Sequence, residues 1–469
     1  MKTATLIKNR IKNARIAVLG FGVSNIPLVE LLLECGNEIT VHDKNGIDKL
    51  DARAKLFAKR GVKFVTGESY LDTIDADIIF RSPGIRPDYQ GIVKAVENGA
   101  ELTSEMELFL ELTPALTLGV TGSDGKTTTT TIAYKLLEKQ FENSEHKVYV
   151  GGNIGTPLLS KVGEMTEKDV CVLELSSFQL FTAKKSPYRA VITNLSPNHL
   201  DWHKDMSEYI SSKTNIYKHD CAELVLNANN TFCKSLLCDC NCKVRLFSAH
   251  LTLEEMIEIY PNAISYVFLY EDSIYYSNGK SAIRLFSAKS ILVPGIHNVE
   301  NYMAAISLCW GFVSEKTEKY IAKTFTGVEH RLEFVREFDG VKYYNSSIDS
   351  SPSRTAAALS ALSERPIVIC GGYDKNIPFE PLSDALNEMA KAVVLTGATA
   401  EKIESVLKES NSKLEIHIEK DFEKAVIKAK EIAKKYDIVL LSPACASFDA
   451  FKNFMERGNK FKQIVNDFK

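Results

Sequence analysis

One stretch, residues 116–128, constrains this chain more than any other. An apolar run at residues 116–120 predicts a buried strand, a glycine-rich loop follows, and the sequence up to about Gln140 predicts a helix. In this order the three elements form an anion site, because loop N–H groups and the positive end of the helix dipole point at the same place. In such loops a lysine, here Lys126, reaches the terminal phosphates, and a hydroxyl, here that of Thr127, holds magnesium. The stretch therefore predicts a nucleoside triphosphate site.

The loop departs from the standard phosphate-binding pattern by one position. That pattern places a glycine five residues before Gly125, where this chain has Val120, and Gly119 lies one step further out. The alternative is a chance glycine-rich turn before a helix, but the Gly-Lys-Thr ending in this context favours a phosphate site. The residues predicted to surround the phosphates are Gly119, Gly122, Ser123, Asp124, Gly125, Lys126, Thr127 and Thr128.

Length and charge narrow the class of protein. A chain of 469 residues suggests roughly three domains of about 150 residues each. A net charge of −3 gives no reason to expect a nucleic acid or an anionic membrane as partner. No apolar run reaches the roughly 18 residues that a membrane span needs. The basic start and the apolar residues 16–22 imitate a signal peptide, but the glycine turn and the acidic residues that follow favour a first strand.

Cysteine usage indicates a reducing compartment. The ten cysteines are scattered, as expected of reduced thiols in a cytoplasmic protein. Cys233, Cys238, Cys240 and Cys242 fall within ten residues, which leaves a zinc site open. The Cys-x-Cys-x-Cys spacing differs from the usual Cys-x2-Cys pair and favours a thiol-rich surface turn.

The first hundred residues predict a Rossmann-like domain. Residues 15–25 form a strand and a glycine turn, a helix follows, and a second strand ends at Asp43, where a dinucleotide fold places its ribose ligand. The third glycine of that fingerprint is replaced by Asn25, so a nucleotide or sugar nucleotide is expected, with an NAD-dependent oxidoreductase as the alternative. A further strand at residues 77–80 ends in a tight turn, residues 81–85, and ligands collect at such strand ends.

The middle of the chain adds candidate groups to the triphosphate site. A strand within residues 169–178 carries Glu174, a carboxylate suited to complete a magnesium shell opposite Thr127. The alternative for Glu174 is an exposed charge at a strand end. His199 follows the next strand, residues 190–195, and a polar helix at residues 207–218 carries Lys213, which the residues alone predict to be a solvated helix charge. Residues 221–290 predict a less regular flank of short strands.

The last third of the chain predicts a second Rossmann-like sheet. A turn at residues 294–301 leads into a helix at 302–312, and residues 325–331 resemble a linker. Strands are predicted at residues 341–345, 366–370, 392–396 and 438–441, alternating with helices. We expect an α/β protein of three domains: a Rossmann-like N-terminal domain (1–103), a P-loop ATPase-like central domain (104–327) and a Rossmann-like C-terminal domain (328–469). Such domains close over more than one substrate.

The motifs together resemble the Mur ligase family, which forms ATP-dependent amide bonds in peptidoglycan biosynthesis. The resemblance rests on segments in the right order along the chain: residues 119–128, 152–155, 174–180, 198–201, 295–301 and 329–331. Residues 441–447 and 451–454 are similar to the branch that adds D-glutamate to UDP-N-acetylmuramoyl-L-alanine. The Asp-Asn-Pro-Arg signature of the diaminopimelate- and lysine-adding branches is absent from the sequence.

The resemblance implies a reaction and a cofactor set. The substrate carboxylate attacks the γ-phosphate of ATP to give an acyl phosphate, and the amine of D-glutamate then displaces phosphate. It also implies two Mg²⁺ ions, a carbamylated Lys213 as an anionic metal ligand, a monomeric protein, and no nucleic acid or membrane partner.

The resemblance also assigns residues to sites. The implied catalytic residues are Lys126, His199 and Lys213. The implied metal ligands are Thr127, Glu174, His199 and Lys213. Beyond the phosphate loop, the implied ATP contacts are Asn153, Asn298, Asn301, His330 and Arg331. The implied UDP-sugar contacts are Ser24, Asn25, Asp43, Ser82 and Gly84, and the implied D-glutamate contacts are Ser350, Lys375, Ser447 and Phe454.

One segment departs from the family pattern. Where the family has Asn-Asp-Ser-Lys-Ala-Thr, this chain has residues 345–350 as Asn-Ser-Ser-Ile-Asp-Ser. The acid is displaced to Asp349 and the lysine is replaced by Ile348, while Ser350 keeps a hydroxyl. Ser123-Asp124 also replaces the more frequent Thr-Asn of the phosphate loop. Two alternatives stay open: another amino-acid ligase of the family, acting with alanine or on a folate, and a nucleotide-gated binding protein without chemistry.

Overall fold

The computed structural model describes residues 3–375, 377–410 and 412–469. The strands are β1 (Arg15–Leu19), β2 (Glu38–Asp43), β3 (Lys63–Thr66), β4 (Ile78–Arg81), β5 (Glu101–Thr103), β6 (Leu116–Thr121), β7 (Val148–Gly152), β8 (Val170–Glu174), β9 (Arg189–Ile192), β10 (Glu223–Asn227), β11 (Lys243–Ser248), β12 (Ser265–Tyr270), β13 (Ser273–Ser277), β14 (Ala282–Ser287), β15 (Glu333–Phe338), β16 (Val341–Asn345), β17 (Ile367–Gly371), β18 (Ala392–Thr396), β19 (Glu415–Ile418) and β20 (Ile438–Leu441).

The helices alternate with these strands. They are α1 (Thr3–Arg10), α2 (Asn25–Glu34), α3 (Arg53–Lys59), α4 (Gln90–Glu97), α5 (Glu105–Leu112), α6 (Lys126–Gln140), α7 (Ser177–Leu180), α8 (Met206–Thr214), α9 (Thr231–Ser235), α10 (Leu253–Ile259), α11 (Ile296–Cys309), α12 (Glu315–Thr324), α13 (Pro352–Ser360), α14 (Glu380–Met389), α15 (Ala400–Glu409), α16 (Phe422–Ile432) and α17 (Phe454–Asn466). Short 3₁₀ helices span Ile47–Lys49, Leu159–Glu164, Leu236–Asp239 and Ala288–Ser290.

The first sheet is parallel and follows the order β3-β2-β1-β4-β5. Its central strands β1 and β4 are almost wholly buried, as expected of a parallel sheet covered on both faces. The chain order reverses beside β1, so the loops after β1 and β4 meet at one crevice. The sheet confirms the predicted Rossmann-like fold, and it adds the short strands β3 and β5 that the sequence did not predict.

The central sheet follows the order β14-β13-β12-β11-β10-β9-β6-β8-β7. Strands β7 to β12 pair in parallel, and β13 returns antiparallel to β12. The phosphate-loop strand β6 lies between β8 and β9. The prediction of an irregular flank at residues 221–290 is wrong in this respect, because β10, β11 and β12 continue the parallel sheet with buried apolar residues.

The third sheet follows the order β15-β16-β20-β17-β18-β19. In this sheet strands β16 to β20 pair in parallel, and within its described residues only β15 pairs antiparallel. The four strands predicted from the sequence are present, within one residue of their predicted bounds. Strands β15 and β19 were not predicted, since β15 mixes charged and apolar residues without a period of two and β19 is short and half-exposed.

The chain divides into two compact units. One runs to Phe286 and includes Glu300–Lys319, so it holds the first and central sheets; the other comprises Ser287–Val299 and Tyr320–Lys469. The fold class is as predicted, whereas the three domain boundaries stay predictions. Helix α11 begins at Ile296, six residues before the predicted start. Within the described part of the chain, no helix has the length and apolarity to cross a membrane.

Candidate active site

The phosphate loop connects β6 to α6. Gly125 caps the helix with a left-handed backbone (φ 76°), which a side chain would strain. Gly122 (φ 149°) also lacks room for a side chain, since a Cβ there would lie 1.9 Å from Thr193 Oγ1. These two glycines let the loop turn tightly at the N-terminus of α6, where an anion is favoured.

Side chains from the chain after β9 hold the loop in place. Thr193 Oγ1 donates to the Asp124 carbonyl (2.6 Å), and the Asp124 N–H donates to Asn194 Oδ1 (3.0 Å). The Ser123 hydroxyl donates to the Ser196 carbonyl (2.9 Å) and lies 2.9 Å from the Tyr209 hydroxyl. The Ser-Asp pair that departs from the family pattern is therefore accommodated by specific partners.

Gly119 does not belong to the loop. It pairs with Leu173 and Ala190 inside β6. A Cβ at Gly119 would lie 2.4 Å from Pro187 Cγ, so the glycine is needed for packing within the sheet. This position within β6 gives Gly119 a packing role, and its contact with phosphate stays a prediction.

Two lysines converge on one carbonyl of the loop. Lys126 Nζ donates to the Gly122 and Ser123 carbonyls (2.9 and 2.8 Å). Lys213 Nζ, on α8, donates to the Gly122 carbonyl (2.8 Å) and to Thr121 Oγ1 (3.3 Å). The Lys213 side chain is buried, so its prediction from the residues alone as a solvated charge is wrong. Burial, and then the charge of Lys126, lower the pKa of Lys213 well below its ordinary value.

A buried carboxylate lies at the end of β8. Glu174 Oε1 accepts from Asn153 Nδ2 (2.9 Å), and the Glu174 carbonyl accepts from the Asn153 N–H (2.8 Å). Glu174 Oε2 is buried and has no hydrogen-bond partner among the described residues. The alternative of an exposed strand-end charge is thereby excluded.

This carboxylate fits a hard cation. A buried anionic oxygen without a donor costs free energy unless a cation or proton meets it. Mg²⁺ prefers oxygen ligands and usually takes one or two protein groups plus phosphate and water. Glu174 and the Thr127 hydroxyl, on the first turn of α6, are such groups. Among the described residues, no cluster of three or more His, Cys, Asp or Glu side chains could hold a metal by itself.

His199 lies near both lysines in a left-handed backbone conformation (φ 55°). Its ring packs edge-on against Phe178, with centroids 5.0 Å apart. Burial, followed by the charges of Lys126 and Lys213, lowers the pKa of His199. The imidazole is therefore held neutral, the form that ligates a metal.

Asn301 is brought to the phosphate loop by α11. Its Oδ1 accepts from Thr129 Oγ1 (3.3 Å), and a Cβ on Gly125 would lie 2.2 Å from the same oxygen. The other predicted ATP contacts, Asn298, His330 and Arg331, belong to the second compact unit. There, Asn298 Nδ2 donates to the Pro294 carbonyl (2.6 Å).

The predicted sugar-nucleotide residues gather at the crevice of the first sheet. Asn25 is buried, and its amide donates to the Gly20 carbonyl (2.9 Å) and to Ser82 Oγ (3.0 Å). Asp43 Oδ2 accepts from the Phe21 N–H (2.8 Å). The structure thus joins the loops after β1, β2 and β4, but it uses the Asn25 amide to tie them together. Ser24 is half-buried and Gly84 is exposed at the same edge.

Two arginines that sequence reasoning missed fix the turn after β4. Arg81 is buried and donates to the Ile85 carbonyl (2.7 Å) and to the Phe178 carbonyl (2.9 Å). Arg86 makes a two-pronged ion pair with Glu208 on α8 (3.0 and 3.1 Å), the helix that carries Lys213. Both arginines lie within or beside the predicted turn, but nothing local in the sequence indicates their distant partners.

Three loops of the third sheet carry the predicted amino-acid contacts. They follow β16, β20 and β17, which are neighbours in the sheet. Lys375 Nζ lies 3.4 Å from Ser350 Oγ, so two predicted contacts meet across loops. The Tyr373 N–H donates to the Ala446 carbonyl (2.9 Å), next to the buried Ser447. The edge of the Phe454 ring meets His330, with centroids 5.9 Å apart.

The departing segment after β16 is well ordered by hydrogen bonds. Ser346 Oγ accepts from the Leu332 N–H (3.1 Å). Asp349 is buried, accepts from Ser442 Oγ (2.8 Å), and is also hydrogen-bonded to the Ser346 side chain. Burial raises the pKa of Asp349 to about 6. The displaced acid therefore lies beside the position where the family pattern has its own.

The thiols of the cysteine-rich segment make hydrogen bonds to backbone carbonyls. Cys240 Sγ donates to the Cys242 carbonyl (3.9 Å), and Cys242 Sγ donates to the Tyr217 carbonyl (3.6 Å). Cys233 is buried, and Cys238 is exposed. These thiols are not gathered into a metal site in the described part of the chain.

Family models match most of the chain. The Mur ligase middle domain matches residues 120–309, the glutamate ligase domain of Mur ligases matches 330–445, and the MurD N-terminal domain matches 15–90. The chain belongs to the Mur ligase family. Among curated Mur ligases, it is 46% identical to the UDP-N-acetylmuramoylalanine–D-glutamate ligase of Acetivibrio thermocellus over 98% of this chain and 97% of that one. It is also 46% identical to the enzyme of that name from Clostridium novyi, over 99% of both chains.

Solved Mur ligases share the fold. The MurF ligase of Thermotoga maritima, solved in complex with ADP, matches with a TM-score of 0.54 and 18% identity over 99% of both chains. The UDP-N-acetylmuramate–alanine ligase of the same organism matches with a TM-score of 0.54 and 18% identity over 97% of this chain and all of that one. At such identities the likeness concerns the fold alone.

Proposed function

We propose that this chain is an ATP-dependent ligase that adds D-glutamate to UDP-N-acetylmuramoyl-L-alanine in peptidoglycan biosynthesis. The observation that carries the chemistry is the cluster of Lys126, Lys213 and Glu174 around the phosphate loop. The substrates are those in the name of relatives 46% identical over nearly the whole chain.

The first step forms an acyl phosphate. The carboxylate of UDP-N-acetylmuramoyl-L-alanine attacks the γ-phosphorus of ATP, the bond to the bridging oxygen breaks, and ADP leaves with the electron pair. Negative charge grows on the transferred phosphoryl group, and donors fixed in advance stabilise it most. The N–H groups at the start of α6 and the ammonium of Lys126 are the donors at this loop.

The second step forms the amide. The D-glutamate amine attacks the acyl carbon, a tetrahedral intermediate collapses, and phosphate departs as the nitrogen loses a proton. The dicarboxylate acceptor suits the loops of the third sheet, where Lys375 lies 3.4 Å from Ser350 Oγ. A cation and hydroxyl donors bind carboxylates by charge-assisted hydrogen bonds.

Thr127, Glu174, His199 and a modified Lys213 would hold two Mg²⁺ ions. When bound, magnesium neutralises developing charge on the phosphates and orients them. The unpartnered oxygen of Glu174 and the neutral imidazole of His199 support these assignments. Burial lowers the pKa of Lys213 and so favours its deprotonated amine, which is nucleophilic and can add CO₂, losing one proton to give a carbamate, an anionic ligand.

The other proposed contacts fall into three groups, one for each substrate. Asn153, Asn301, Asn298, His330 and Arg331 contact ATP, and Ser24, Asn25, Asp43, Ser82 and Gly84 contact the UDP-sugar. Ser350, Lys375, Ser447 and Phe454 contact D-glutamate. The enzyme acts as a monomer in the cytoplasm, where ATP is available.

The test is phosphate release from ATP in the presence of UDP-N-acetylmuramoyl-L-alanine. We expect release that depends on D-glutamate and is absent with L-glutamate, D-alanine or L-alanine. Release with another amino acid would keep the family and replace the acceptor. ATP binding without release under any condition would overturn ligation and favour the nucleotide-gated binding protein.

A further inference from the structure

A guanidinium lies buried beneath the loops of the third sheet. Arg457, in the first turn of α17, is 2% exposed. Its Nη2 donates to the Ser347 and Cys445 carbonyls (2.9 and 3.1 Å), and its Nη1 donates to the Ala446 carbonyl (3.0 Å). Its Nε donates to Ser347 Oγ (3.0 Å). One side chain therefore binds two loops that lie about a hundred residues apart in sequence.

The same contacts reach every loop of the predicted amino-acid site. Ser347 precedes Ser350 by three residues, and Ala446 precedes Ser447. Ser347 Oγ also donates to the Phe454 carbonyl (2.8 Å) at the start of α17. The Ala446 carbonyl accepts from the Tyr373 N–H, on the loop that carries Lys375. Arg457 is thus the shared support of the proposed acceptor contacts.

The partners of Arg457 are all neutral. In the described residues its hydrogen bonds end on three carbonyls and one hydroxyl, and no carboxylate forms an ion pair with it. Buried arginines are usually paired, because an unpaired charge is expensive to desolvate. The carboxylates of Asp449 and Asp349 act on the guanidinium electrostatically but form no hydrogen bond with it. Burial lowers the pKa of Arg457 only to about 10, so the group stays charged at neutral pH.

We propose that Arg457 is a positioning residue for the acceptor amino acid, which fixes the three loops and lends positive charge to a site for a dicarboxylate. The inference rests on the proposed function and deepens it by explaining the preference for an acidic acceptor. Arg457 acts through the loops and has no assigned contact with the reacting atoms.

The experiment compares full-length Arg457→Gln and Arg457→Lys with a matched control, Arg336→Gln. Arg336 is in the same compact unit and, among the described residues, donates to the carbonyls of Asn466 (2.8 Å) and Phe468 (3.3 Å), away from the three loops. We expect Arg457→Gln to raise the KM for D-glutamate about tenfold or more, because misplaced binding groups lose affinity steeply. The KM for ATP should change less than about twofold, Arg457→Lys should recover part of the loss, and the control should match the unmodified chain.

A second variant keeps the test decisive if Arg457→Gln does not fold. Ser347→Ala retains the charge and removes the hydroxyl between Arg457 Nε and the Phe454 carbonyl. We expect its KM for D-glutamate to rise about threefold, with the KM for ATP unchanged. Unchanged KM values for D-glutamate in the folded variants, or equal rises for ATP and D-glutamate, would overturn the inference. Failure of the unmodified chain to use D-glutamate would instead overturn the proposed function.

Discussion

The phosphate loop and the proposed acceptor loops are both assigned to bind anions, but they are built in different ways. The phosphate loop is continuous in sequence, and its anion site follows from one strand, one turn and one helix. The proposed acceptor site is assembled from three loops between residues 345 and 454, two of which Arg457 joins directly. A site formed by one continuous segment is specified by the local sequence. A site assembled from separate loops depends in addition on a buried residue that holds the loops and has no assigned contact with substrate.

The largest loss of activity is expected from Lys126→Ala, at the phosphate loop. Loss of the ammonium at the phosphate loop should lower kcat more than about 1000-fold, because it stabilises charge that grows in the transition state. Lys135→Ala is the control, since Lys135 lies on the same helix but pairs with Glu138 at the surface. Phosphate release measures both. A Lys126 variant within tenfold of the unmodified enzyme would show that the continuous site does not depend on this residue.

Lys213→Ala should lower activity about 100-fold through loss of the proposed metal-site ligand. If a carbamate is the working form, small carboxylates such as acetate or formate should restore part of the activity. Lys218→Ala, four residues beyond α8 and exposed, serves as the control. Full activity without added carboxylate in Lys213→Ala would remove this residue from the metal site.

Lys375→Ala should raise the KM for D-glutamate about tenfold through loss of one charge-assisted hydrogen bond. The KM for ATP should not change. Lys391→Ala is a matched control, because Lys391 pairs with Asp437 at the opposite end of the strands, directly before β18 and β20. A similar rise in the KM for D-glutamate and in the KM for ATP would contradict this prediction, because Lys375 would then affect both substrates equally.

The smallest effect concerns the pH dependence of stability at Asp349. Because burial raises the pKa of Asp349 to about 6, the folded state favours the protonated acid, and the resulting stabilisation is lost as pH rises through 6. Asp349→Asn removes this dependence while keeping an acceptor for Ser442. The free energy of local opening of β16 and β20 should therefore fall with pH in the unmodified chain but not in the variant. The difference, variant minus unmodified chain, should rise by about 1 kcal/mol from pH 5 to pH 7.

Hydrogen exchange of the peptides covering β16 and β20 measures this difference at each pH. Asp384→Asn, at an exposed position on α14, is the control and should show no such trend. A pH-independent difference for Asp349→Asn would mean that the carboxyl is already charged when folded.

Sequence patterns predicted the elements that are apolar and continuous. Strands β6, β8 and β17 are runs of buried residues, and the phosphate loop follows from its glycines. Strand β15, at the edge of its sheet, was missed because its charged and apolar residues follow neither a continuous apolar run nor a period of two.

The candidate-site residues also divide into those that the local sequence predicts and those that only tertiary packing reveals. Lys126 and Thr127 follow from the local pattern, but Lys213 needed the family resemblance, since only tertiary packing shows that it is buried. Arg81 and Arg457 could not be predicted, because their partners are carbonyls of distant loops and any residue type supplies a carbonyl.

The bracing of the phosphate loop has a thermodynamic consequence. Ser123 is hydrogen-bonded to Tyr209, Asp124 to Thr193, and the Gly122 carbonyl to Lys213, so residues elsewhere in the fold hold the loop in place. The loop is therefore preorganised, and the conformational entropy of its residues is lost during folding rather than on binding. Nucleotide association at this loop should consequently show a small entropy penalty, and turnover should not wait for the loop to order.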